Sequence, residues 1–126
     1  MSWQEYVDVQ LLSTGTLRHA AILGHAGDVW ATSNGFNIDQ AEIAKIIKGH
    51  DDFSILQTGG LTLNGMKYTF IRGDDKTLYM KKLTNGVFLR KTQQAIIVGV
   101  HDDQQVPEPA ALTVAKLGDY LESVGY

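Results

Sequence analysis

Apolar positions along the chain switch between two periods, and the switches predict an order of elements. From Ser2 to about Leu12 the period is helical: Trp3, Tyr6 and Gln10 share one stripe, with Val7 and Leu11 beside it. Ser2 and Glu5 have capping-box spacing, so that the hydroxyl accepts from the Glu5 amide while the carboxylate reaches back. Two strands are predicted next, at about Arg18–Leu23 and Val29–Ser33, joined by the loop Gly24-His25-Ala26-Gly27-Asp28. Asp39 to Lys48 then reads as a helix. Asp39 is its N-cap, Glu42 stands at N3, and Ile38 and Ile43 take the hydrophobic-staple positions. Ile43, Ile46 and Ile47 form its apolar face, and Gly49 is predicted to end it.

From Leu61 to Val100 the pattern is that of an antiparallel meander. Asn64-Gly65, Gly73-Asp74-Asp75 and Asn85-Gly86 are turn signals, and Met66–Arg72, Thr77–Lys82 and Val87–Lys91 lie between them, rich in β-branched and aromatic residues. Ala95-Ile96-Ile97-Val98-Gly99-Val100 is continuously apolar, which predicts a strand covered on both faces, with helices on both sides of the sheet. Pro109 suits the first turn of a last helix carrying Val114, Leu117, Leu121 and Val124 at helical spacing, and Gly125 can end it. The expected class is α+β: one antiparallel sheet, two terminal helices and a middle helix.

Composition narrows the class of protein. The 126 residues are expected to form one domain, 1–126, that buries roughly two-thirds of its unfolded surface. There is no cysteine, which argues against a disulfide scaffold and fits a reducing compartment. The opening MSWQEYVDVQ lacks a positive n-region and an apolar run, so no signal peptide is expected. The net charge of −3 does not favour nucleic acid or anionic membrane, so an anion site must come from local clustering of basic residues.

The aromatic residues fall in telling places. Trp3 and Tyr6 are on the first helix, Trp30 on an early strand, and Tyr120 and Tyr126 on and after the last helix. If the terminal helices pack side by side over the strand of Trp30, the five rings meet. Flat rings of this kind form grooves for the pyrrolidine faces of a polyproline II segment, which is already stiff and exposes its carbonyls to Trp and Tyr donors. The alternative is that the rings only pack the terminal helices onto the sheet.

Motifs along the whole chain extend this picture. Ser2-Trp3-Gln4-x-Tyr6-Val7-Asp8, Ala20-Ala21-Ile22-Leu23-Gly24, Gly27-Asp28-Val29-Trp30-Ala31-Thr32-Ser33 and Gly65-Met66-Lys67-Tyr68 through Arg72 occur in order. Gly99-Val100, Lys116-Leu117-Gly118-Asp119-Tyr120-Leu121 and Gly125-Tyr126 follow. From Ser2 to Tyr126 the chain resembles the profilins, most closely the short amoeboid and plant types. The resemblance implies a profilin-like fold, a central antiparallel sheet with both terminal helices on one face and a further helix on the other. It implies a non-enzymatic, cytoplasmic and cytoskeletal monomer without cofactor. Such a protein binds monomeric actin, promotes exchange of its nucleotide, regulates polymerisation and meets proline-rich, formin-type assembly factors. It implies a polyproline groove at Trp3, Tyr6, Trp30, Tyr120 and Tyr126. It also implies an actin face at Lys67, Tyr68, Arg72, Lys81, Lys82, Arg90, Ala110, Thr113 and Lys116. Phosphoinositide headgroups are a further implied ligand, at Arg72, Lys81, Lys82, Arg90 and Lys91.

Lys67, Arg72, Lys81, Lys82, Arg90 and Lys91 are also more than half of the eleven basic residues and fall within the meander, which predicts a basic face despite the negative net charge. Other signals carry less. His19, His25, His50 and His101 form no close ligand pair, and the doublets Asp51-Asp52, Asp74-Asp75 and Asp102-Asp103 lack an EF-hand frame, so no metal is expected. Gly59-Gly60 fits a tight bend rather than a phosphate loop, and no nucleophile elbow is present. The competing function is a small-molecule-binding sensor on a similar α/β scaffold, which would need an internal pocket.

Overall fold

The apolar run before His101 forms the middle of the molecule. In the computed structural model, which describes residues 2–126, it is strand β7 (Ala95–His101), buried at every position. Six further strands complete one sheet: β1 (His19–Gly24), β2 (Val29–Thr32), β3 (Leu61–Leu63), β4 (Met66–Gly73), β5 (Thr77–Lys82) and β6 (Asn85–Lys91). Their order is β2-β1-β7-β6-β5-β4-β3, and every neighbouring pair is antiparallel.

Strand alternation divides the core between the two faces of this sheet. Ile96, Val98 and Val100 of β7, with Val87 and Leu89 of β6, belong to a cluster under α2 (Gln40–Asp51) and α3 (Ser54–Gly59), where Ile43, Ile46 and Leu56 meet them. Ala95 and Ile97, with Phe88 of β6, belong to a second cluster under the two ends of the chain. Val7 and Leu11 reach it from the N-terminal helical segment, and Ala110, Val114, Leu117 and Leu121 from α4 (Pro107–Ser123). The terminal helices thus share one face and α2 and α3 the other.

Three local expectations are corrected. The N-terminal segment is not a uniform α-helix: α1 (Trp3–Glu5) opens into a π-helical turn over Tyr6–Leu11, and a 3₁₀ turn, Leu12–Thr14, closes it. The Leu12 amide reaches back to both the Val7 and Asp8 carbonyls across the widened turn. Gly49 does not end α2, which continues to Asp51; a Cβ there would stand 2.5 Å from Leu56 Cδ1, so the missing side chain lets α3 approach. Asn85 and Gly86 are not the hairpin turn but pair with Lys82 and Lys81. A Cβ on Gly86 would stand 2.8 Å from Tyr79 Oη, beside the 2.9 Å hydrogen bond from Tyr79 to His101 Nε2. The reversal falls two residues earlier, at Leu83-Thr84, where Leu83 takes a φ of 55° and is 84% exposed.

Candidate ligand groove and basic sheet face

The rings of the groove are held by devices at both ends of the chain. At the N-terminus the capping box forms: the Glu5 amide donates to Ser2 Oγ at 3.1 Å, and the Ser2 amide donates to Glu5 Oε1 at 3.2 Å. Gln4 Nε2 donates to the Thr32 carbonyl at 3.0 Å, which ties the segment to β2. At the C-terminus α4 closes in a Schellman motif. The Gly125 amide donates to the Glu122 carbonyl, and the Tyr126 amide to that of Leu121 at 2.7 Å. Gly125 adopts a φ of 91°, a conformation costly for any side chain. This turn delivers Tyr126 to the β6–β7 connection, where its carbonyl accepts from Thr92 Oγ1 at 2.8 Å and from the Gln94 amide.

All five predicted aromatics converge. Trp3 lies at the centre: its ring is 4.6 Å from Trp30, 5.5 Å from Tyr6 and 5.1 Å from Tyr126, the last edge-on. Tyr6 continues the row to Tyr120 at 6.3 Å. Trp3, Tyr6 and Trp30 are half-buried, and Tyr120 and Tyr126 are exposed. The rings therefore pack on the terminal-helix core and still offer faces to solvent, so packing and recognition are compatible. Burial pushes the Tyr6 phenol above its ordinary pKa, and the neighbouring Tyr120 hydroxyl adds to the shift. The Trp30 indole donates to Asp28 Oδ2 at 2.6 Å, which occupies that donor within the protein.

Beyond Tyr120 the row opens into a recess of about 560 Å³ lined by Tyr6, Gln10, Thr14, Thr113, Lys116, Leu117 and Tyr120. Lys116 and Thr113, expected on a separate face, therefore adjoin the end of the groove. Gln10 and Thr14 were missed as lining residues; the signal was the stripe shared by Tyr6 and Gln10.

The basic residues do not form one patch. Thr69 pairs with Lys81 and Arg72 with Tyr79, so Lys67, Arg72 and Lys81 share the sheet face of the terminal helices. The Arg72 guanidinium stacks 4.8 Å above the Tyr79 ring. Ile71, the extra residue of a bulge in β4, stays half exposed beside them. Lys82 alternates to the opposite face. Lys91 does the same and approaches Asp51 at 3.8 Å.

Arg90 is buried beneath α4, its side chain 5% exposed, with Nη2 donating to Asp119 Oδ1 at 2.9 Å and to Glu122 Oε1 at 2.7 Å. This contact holds the Glu122 carboxyl below the usual carboxylate range. Arg90 is thus a structural cation rather than a surface contact. Tyr68 and Ala110 are likewise buried, in the two separate core clusters, and present no side chain to a partner.

Among the described residues no group of three or more His, Cys, Asp or Glu side chains is placed to hold a metal ion, and no helix is long and apolar enough to cross a membrane.

Comparison with known proteins accounts for this arrangement. The profilin family model matches residues 1–126. A profilin of Bombyx mori is 44% identical over 126 residues, covering 100% of both chains. The crystal structure of Acanthamoeba castellanii profilin II superposes with a TM-score of 0.96 at 42% identity, covering 99% of this chain and 100% of that one. Mouse profilin IIa in complex with a double repeat from the FH1 domain of mDia1 shares the fold at a TM-score of 0.82 and 24% identity, covering 100% of both chains.

Proposed function

Because the chain belongs to the profilin family, whose members are non-enzymatic actin-binding proteins, we propose that it binds monomeric actin and proline-rich segments on two neighbouring surfaces. In this reading it promotes nucleotide exchange on actin, regulates polymerisation and brings monomers to proline-rich assembly factors. It acts as one domain and as a monomer, in the cytoplasm and at the cytoskeleton. The family assignment sets aside the small-molecule sensor.

The observation that carries the proposal is the unbroken row of rings from Trp30 through Trp3 and Tyr6 to Tyr120, with Tyr126 against its middle. A polyproline II segment advances about 3.1 Å per residue, so roughly five residues span such a row. The actin face is placed on Lys67, Arg72 and Lys81, with Ile71 as an apolar neighbour and Thr113 and Lys116 at its border with the groove. The same three basic residues are the best candidates for phosphoinositide headgroups, since Arg90 and Lys91 face elsewhere and are paired.

Titration with poly-L-proline, followed by tryptophan fluorescence, tests the groove directly, because both tryptophans lie in it. A saturable change is expected. Trp3→Ala, at the centre of the row, is expected to weaken binding at least about thirtyfold, as for a central aromatic anchor. Unchanged affinity in folded Trp3→Ala would place the ligand elsewhere.

A further inference from the structure

The recess beyond Tyr120 changes character along its length. Tyr6, Tyr120 and Leu117 make its apolar wall, and Gln10, Thr14, Thr113 and Lys116 make it polar. The protons of its threonine hydroxyls are already committed. Thr14 donates to the Leu11 carbonyl at 2.6 Å and Thr113 to the Pro109 carbonyl at 3.0 Å. Thr16 Oγ1 lies 2.8 Å from the Thr14 hydroxyl and 2.7 Å from that of Thr113, and it donates to one of them. Besides the Tyr6 and Tyr120 hydroxyls, the donors left to face a ligand are the Gln10 amide and the Lys116 ammonium, the only cation of the lining. Among the described residues, no carboxylate lies within ion-pair distance of Lys116; Asp119, one turn along α4, is committed to Arg90.

The other end of the row has the opposite charge. There the exposed Asp28 carboxylate accepts from the Trp30 indole. The groove therefore runs from a carboxylate, across the rings, to an unpaired ammonium set in a recess large enough for a side chain. Prolines alone give a row of flat rings little to distinguish one chain direction from the other. A charged residue beside them does.

We propose that the recess is a subsite for an acidic side chain flanking a proline-rich segment, and that it fixes the direction in which the segment lies. The inference rests on the aromatic row being a proline-rich site. It adds a preference that the row alone does not impose: Asp or Glu at one end of the ligand, seated between Lys116 and Gln10. A lysine at that end meets a like charge and is disfavoured.

The test compares the affinities of decaproline, plain or carrying two Glu or two Lys at its N-terminal or C-terminal end. Plain decaproline is expected to bind. Glu at one of the two ends is expected to tighten binding about two- to fivefold, the range for a partly exposed ion pair, and Lys at that end to weaken it. The difference is expected to collapse in about 1 M salt. Lys116→Glu is expected to reverse the order of the Glu and Lys peptides at that end, a change that simple loss of packing would not produce. Gln10→Ala is expected to shrink the preference without reversing it. Plain decaproline bound with no flank preference would overturn the subsite and leave the groove standing. Equal tightening by Glu at both ends would overturn the directional claim. No binding of plain decaproline would overturn the groove and the subsite together.

Discussion

Five aromatic side chains from the two ends of the chain and from β2 meet at one groove, whereas six basic side chains from a single meander scatter over two faces and the interior. The difference lies in how each backbone period converts sequence into space. On the terminal helices, Trp3 and Tyr6 stand three residues apart and fall on one side. The capping box and the Schellman motif then fix where those helices begin and end. In the strands, adjacent residues face opposite ways, so the doublets Lys81-Lys82 and Arg90-Lys91 are each divided by the sheet. Of the six basic residues, only Lys67, Arg72 and Lys81 share a surface. Charge clustered in sequence becomes charge clustered in space only where it matches the local period.

The sharpest way to break this contrast is to take from Arg90 its interior role. Asp119→Asn combined with Glu122→Gln leaves a buried guanidinium without counter-charge. About 3 kcal/mol of stability should be lost, measured by urea unfolding. A change within about 0.5 kcal/mol would mean that Arg90 swings out to solvent and belongs to the surface set after all.

Acid should separate the two sides of the sheet. His50 sits on α2 with both ring nitrogens buried and without hydrogen-bond partners. Its pKa is lowered to about 4 by burial first, then by the charges of Lys91 and His25, against the opposing pull of Asp51 and Asp74. The unfolded chain takes up this proton near pH 6.5 and the folded chain only near 4, so the unfolded state gains as pH falls through that window. The contribution of His50 is therefore complete above pH 6.5 and is lost toward pH 4, about 3 kcal/mol in all. That share is the difference between wild type and His50→Gln in unfolding measured across the window. The groove contains no histidine, so its affinity for poly-L-proline is expected to stay level from pH 7.5 to 6. A parallel loss of affinity and stability would tie the two regions together.

The smallest effect divides a doublet. Lys81→Glu, on the terminal-helix face, is expected to weaken actin binding about five- to tenfold, whereas Lys82→Glu, on the opposite face, changes it less than about twofold. Neither is expected to alter poly-L-proline affinity. Equal effects of the two reversals on actin would contradict the assignment of faces.

Much of the groove was legible because short-range signals carry it. Ser2 with Glu5, the first-helix stripe and Gly125 before Tyr126 each name a local geometry, and together they bring the rings to one place. The strands were legible for the same reason, down to the apolar run that required cover on both sides. What the pattern hid depends on contacts between distant segments. The π-helical turn at Tyr6–Leu11 was hidden because Val7 and Leu11, four apart, fit the buried face of an ordinary α-helix equally well. Gly49 and Gly86 look like turn formers but serve close packing against Leu56 and Tyr79. Arg90 looks like a surface base until alternation sets it beside Phe88, under α4. The spacing of Asp119 and Glu122 on that helix was the available clue. The recess was hidden because Gln10 and Lys116 are ordinary polar residues until the two terminal helices lie side by side.

Proline-rich and actin ligands are proposed to use neighbouring but distinct surfaces. Amide and indole NMR shifts of the ¹⁵N-labelled protein titrated with decaproline separate the two. Shifts are expected to concentrate at Trp3, Tyr6, Trp30, Tyr120 and Tyr126, including the Trp3 and Trp30 indoles, while Lys67, Arg72 and Lys81 stay still. Shifts centred on β4 and β5, or none at the two indoles, would contradict that division of surfaces.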